Sequence, residues 1–82
     1  RIRSVKTVVF RLDPYSTSRD QLENLKKLCT KSKGNCKGVI EYVAPDGVRA
    51  RFQFPDDLTF SADYGFIQEV KEIFGRDVLG FQ

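Results

Sequence analysis

Two apolar-alternating runs flank a Pro-Asp-Gly turn, and this feature limits the fold more than any other. Val39-Ile40-Glu41-Tyr42-Val43-Ala44 leads into Pro45-Asp46-Gly47, and residues 48–54 lead out of it. Such a pattern predicts a β-hairpin. The side chains choose its register. A two-residue Asp46-Gly47 loop would set Glu41 opposite Phe52 and put a carboxylate on the apolar face. A three-residue loop, with Gly47 left-handed in a bulge, pairs Ala44 with Val48, Tyr42 with Ala50 and Ile40 with Phe52. Glu41 then faces Arg51 on the other side, a pair worth ~0.2–1 kcal/mol. The three-residue loop is the expected one. It sends Phe52 and Phe54 inward with the helices.

The remaining elements are arranged around this hairpin. Residues 5–12 alternate as a strand, with Val8, Phe10 and Leu12 on one face, and Asp13-Pro14 ends it. Ser18 with Gln21 three residues on is a capping box. Leu22, Leu25, Leu28 and Cys29 follow at helical spacing, so a helix is predicted over 19–32 with Gly34 as its stop. Leu58-Thr59-Phe60 reads as a short edge strand. Ser61 or Asp63 caps a second helix with the stripe Phe66, Ile67, Val70, Ile73 and Phe74, closed by Gly75. Val78-Leu79-Gly80-Phe81 is a last strand. The order β-α-β-β-(β)-α-β predicts one α+β domain over residues 1–82, a small mainly antiparallel sheet with both helices on one face. A ferredoxin-like arrangement is expected. An incomplete Rossmann-like sheet is the alternative, because it also accommodates the β-α-β crossovers.

Composition narrows the function. The 82 residues include no His, which removes Ser-His and Cys-His nucleophile pairs and the usual general acid–base near neutral pH. Cys29 and Cys36 cannot complete a zinc site by themselves, and they read as reduced thiols. Asp56-Asp57 with Asp63 is the one acidic cluster and reads as a solvated turn. No glycine spacing makes a phosphate loop. The expectation is a non-enzyme without catalytic residues, metal or cofactor. No apolar run is long enough to span a membrane, and Arg1-Ile2-Arg3 does not begin a signal peptide. An opening without Met suggests a piece of a longer chain. A cytoplasmic monomer is expected.

The net charge of +3 hides an asymmetry. Residues 1–40 hold ten basic and three acidic side chains; residues 41–82 hold four and eight. Lys26, Lys27, Lys31, Lys33 and Lys37 gather near the end of the first helix, where cations complement the helix dipole. They are also a candidate patch for nucleic acid or an acidic partner. Gly47-Val48-Arg49-Ala50-Arg51-Phe52-Gln53-Phe54 does not match the aromatic signature of an RNA-recognition sheet, which argues against that type of binder.

Taken together, Leu22-Glu23-Asn24-Leu25, Val39-Ile40-Glu41-Tyr42 and Val48-Arg49-Ala50-Arg51-Phe52 form a familiar succession. With Phe60-Ser61, the Phe66 to Gly75 stripe and Val78-Leu79-Gly80-Phe81, it resembles the extreme C-terminal domain of the bacterial DNA polymerase III alpha subunit. The resemblance runs from about Val5 to Phe81 and rests on hydrophobic spacing rather than on a catalytic signature. Gly65 departs from it, standing where relatives more often carry a polar helix former. The resemblance implies a non-catalytic module that follows an OB-fold and docks the polymerase core to the tau subunit of the clamp loader. Other replisome subunits would be reached through the parent chain, a DNA-directed DNA polymerase, and direct DNA contact would be weak. The expected partner-binding residues are Val78, Leu79 and Phe81, taken as exposed, with Lys71 beside them. A nucleic-acid-binding module using the lysine patch is the alternative.

Overall fold

The computed structural model describes residues 6–82. The elements are β1 (Thr7–Leu12), α1 (Arg19–Lys31), β2 (Lys33–Val43), β3 (Arg49–Gln53), α2 (Tyr64–Phe74) and β4 (Leu79–Phe81). Val5 and the Arg1-Ile2-Arg3 opening lie outside the described residues.

The chain is a small α+β domain with one four-stranded sheet in the order β3-β2-β1-β4. Two of the three pairings among the described residues are antiparallel, β2 with β3 and β1 with β4. The third, β1 with β2, is parallel and is closed by the α1 crossover. Element order and layering are compatible with the ferredoxin-like class. In one respect the sheet differs from a split β-α-β unit: β2 lies directly beside β1. That parallel pair is the part a Rossmann-like sheet would share.

The hairpin has the three-residue loop. Ala44 N–H donates to Val48 O and Gly47 N–H to Ala44 O, both at 2.9 Å, with Gly47 left-handed at φ 90°. The pairs Ile40–Phe52, Glu41–Arg51 and Tyr42–Ala50 follow. At the start of α1 the capping box is closed in both directions, Gln21 N–H to Ser18 Oγ at 3.1 Å and Ser18 N–H to Gln21 Oε1 at 2.9 Å. The Gln21 side-chain amide also donates to Ile73 O at 3.1 Å, tying the start of α1 to the end of α2. Asp63 caps α2 by accepting from Phe66 N–H at 2.9 Å, and left-handed Gly75 ends it.

Val8, Phe10 and Leu12 of β1 meet Leu25, Leu28 and Cys29 of α1, and Phe66 and Val70 of α2, in one buried cluster. Both helices therefore cover the same sheet face. Phe10 is its centre, with ring centroids 5.6 Å from Phe54, 5.9 Å from Phe60 and 6.4 Å from Phe66.

Three local expectations change. Gly34 is not the stop of α1, which ends at Lys31 with Ser32 as its cap. Gly34 lies inside β2, where a Cβ would come within 2.7 Å of the Phe60 and Ser61 backbone. The segment 58–60 forms no full strand; Phe60 makes isolated bridges to Lys33 and Cys36 and its ring is buried. Phe52 has the expected register but is 56% exposed, because all of β3 lies at the sheet edge outside the helix cover.

Candidate functional site

The C-terminal edge is built on β1. Leu79 pairs with Phe10 and Phe81 with Val8, so both side chains lie on the helix-bearing side of the sheet. Asp77 Oδ1 accepts from Leu79 N–H at 3.2 Å and shapes the entry into β4. The four expected contact residues separate here. Val78 is 3% exposed and belongs to the core cluster, with its carbonyl accepting from Arg11 N–H at 2.8 Å. The expectation that it is an exposed contact is corrected: the chain bends before β4, and the Val78 side chain fills the core instead of following the strand alternation. Leu79 is half-buried against the cluster, whereas Phe81 is 55% exposed. Lys71 is exposed in the last turn of α2. This edge thus presents an exposed aromatic ring and a half-buried leucine.

The five lysines are all exposed, and four of them share one continuous surface. Lys26, Lys27 and Lys31 share the outer side of α1 with Glu23 and Thr30. Lys31 Nζ also stands 3.5 Å from Glu69 Oε1 on α2, an exposed ion pair. Lys33 sits at the junction of α1 and β2, in a shallow depression shared with Lys26, Thr30 and Asp57. Lys37 pairs with Thr7, away from the helices. Four of the five expected lysines, Lys26, Lys27, Lys31 and Lys33, are therefore neighbours in space as well as in sequence, and Lys37 stands apart from them.

The sheet face opposite the helices carries a feature that sequence reasoning found only in part. Glu41, 6% exposed, accepts from Arg51 Nη1 at 3.1 Å and lies 3.4 Å from Arg11 Nε. Val9 and Val39 are buried on the same face. Gly80 makes room for the outer part of this group, since a Cβ there would meet the Arg11 guanidinium at 2.6 Å. The Glu41–Arg51 pair follows from the hairpin register. Arg11 joins it because β1 and β2 are parallel neighbours with Arg11 beside Glu41.

Cys29 and Cys36 are free thiols, and burial pushes the Cys29 thiol up to about 12, which leaves it protonated and inert at neutral pH. Asp56 and Asp57 are exposed in a turn closed by Leu58 N–H to Pro55 O at 2.9 Å, while Asp63 is a helix cap. Among the described residues no group of three or more His, Cys, Asp or Glu side chains is placed to hold a metal ion. Among them, too, no helix is long and apolar enough to cross a membrane.

Comparison with known proteins adds no relative: no family model, curated protein or solved structure matches this chain.

Proposed function

We propose that this chain is a non-catalytic docking module of a replicative DNA polymerase alpha subunit, joining the polymerase core to the tau subunit of the clamp loader in the bacterial cytoplasm. Its contact surface is the C-terminal edge, with Phe81 as the anchor and Leu79 and Lys71 beside it. The observation that carries the reading is the 55% exposure of Phe81 on a three-residue edge strand. A large exposed apolar group on a strand that ends the sheet among the described residues is what a protein partner covers, and aromatic anchors dominate such interfaces. The resemblance in hydrophobic spacing supplies the identity of the partner. The module performs no catalysis itself; the polymerase chemistry belongs to the parent chain, through which the other replisome subunits are reached. On its own the domain is a monomer with at most weak contact to DNA.

Isothermal titration of the chain with the C-terminal segment of tau tests this. Saturable binding is expected, almost indifferent to salt and weakened about tenfold or more by Phe81→Ala. No heat at high micromolar concentration would overturn the reading. Binding that falls steeply with salt and is lost on replacing Lys26, Lys27 and Lys31 would favour the nucleic-acid module instead.

A further inference from the structure

The edge of the sheet opposite β4 has the features of a second docking surface, distinct from the one assigned to tau. Among the described residues β3 has β2 on one side and no strand on the other. Ala44 N–H donates to Val48 O, and Phe54 N–H donates to Gly38 O. In an antiparallel ladder hydrogen-bonded pairs alternate along the strand. Ala50 and Phe52 therefore turn their backbone groups toward β2, while Arg49, Arg51 and Gln53 turn theirs outward. Three N–H and three C=O groups have no ladder partner among the described residues, on a strand whose five residues are all exposed.

Side chains alternate the other way. Phe52 lies on the helix side, 56% exposed, against Tyr42 with ring centroids 5.9 Å apart. Beside it runs an apolar groove of about 340 Å³ lined by Leu22, Leu25, Ile40, Phe54 and Leu58, with Lys26 also at its border. On the other face Arg49 and Arg51 are exposed, and Arg51 uses part of its guanidinium on Glu41.

We propose that β3 accepts an extended peptide in which acidic and apolar residues alternate, added as a fifth strand. Its backbone would pair with Arg49, Arg51 and Gln53. Residues opposite Arg49 and Arg51 fall on the open face, where carboxylates meet guanidinium groups. Residues opposite Ala50 and Phe52 fall on the helix side, where apolar side chains enter the groove. The charges also choose between occupants. Two copies of this chain pairing β3 to β3 about Arg51 would place Arg51 against Arg51, a like-charge cross-strand contact that opposes self-association.

The test is an amide NMR titration of the 82-residue chain with a synthetic ten-residue peptide of alternating glutamate and aliphatic residues. A scrambled peptide of the same composition is the control. Saturable shifts at Arg49, Arg51 and Gln53, with slowed exchange of those amides, are expected from the alternating peptide only. Gln53→Pro removes one outward N–H without touching the β2 ladder and should weaken binding about tenfold. Arg49→Glu, which leaves both the backbone and the Glu41 pairs in place, should weaken it roughly fivefold. Phe81→Ala should leave it unchanged, which separates this edge from the tau surface. The proposal is overturned by an equal response to the scrambled peptide, by shifts centred on α1, or by no saturable shift. Protection of the β3 amides by self-association as the protein is concentrated would overturn it as well.

Discussion

The two faces of the sheet are held by different physics. On the helix side, Phe10, Phe60 and Phe66 form a closed aromatic cluster with no polar partner to satisfy, and dispersion and apolar burial supply the stabilisation. On the open side, Val9 and Val39 are also buried, and no helix among the described residues covers them. Their surroundings include one buried carboxylate beside two half-exposed arginines, the group Arg11–Glu41–Arg51. Apolar burial tolerates any filler of the right shape, whereas a buried charge must keep its partners. The helix side should therefore respond to lost volume, and the open side to lost charge balance.

The largest effect is expected on the helix side. Phe10→Ala empties the centre of the cluster and should lower unfolding stability by about 3–5 kcal/mol, read from a urea midpoint. For a domain of this size that is a large fraction of the total. On the open side, order of removal is what matters. Replacing both Arg11 and Arg51 by Ala leaves Glu41 buried without a cation and should cost about 3 kcal/mol. Glu41→Ala frees two arginines that hydrate readily, and should cost about 1–2 kcal/mol. Equal costs for the two variants would erase the distinction between the faces.

A smaller effect comes from pH. Cys29 is buried in the helix-side cluster, and its thiol is pushed from 9.0 up to about 12 by loss of solvation. Above pH 9 the unfolded chain releases this proton while the folded chain keeps it. Stability is then unaffected below pH 9 and falls between pH 9 and about 12, at about 1.4 kcal/mol per pH unit for this group. The slope should be shallower by that amount in Cys29→Ala. A thiol alkylator at neutral pH should modify Cys36 in the folded chain and leave Cys29 intact; equal reaction of both would contradict the burial.

Much of this architecture was legible in the sequence, for local reasons. The hairpin loop followed from keeping Glu41 off the apolar face, and the capping box from Ser18 and Gln21, features decided within a few residues. The ends of α2 followed likewise from Asp63 and Gly75. What escaped depends on distant neighbours. Alternation tells which face Phe52 occupies but not whether a helix reaches far enough to cover it. Val78 reads as part of a strand until the bend before β4 turns it into the core. Arg11 joins Glu41 only because β2 lies beside β1, and a split β-α-β order would have separated them. Gly34 looks like a helix stop, yet its role is set by the Phe60–Ser61 backbone nearly thirty residues later. Of the residues expected to be exposed at the C-terminal edge, Phe81 is exposed, Leu79 is half-buried against the core and Val78 is buried; Lys71 is exposed on α2.

Docking at the C-terminal edge is tested most directly by a map of backbone amide shifts on adding the tau C-terminal segment. The predicted result is a set of saturable shifts at Leu79, Gly80, Phe81 and Lys71, with Arg49, Arg51 and Gln53 unmoved. A spectrum that does not change, or one whose shifts centre on residues 26–31, would contradict it.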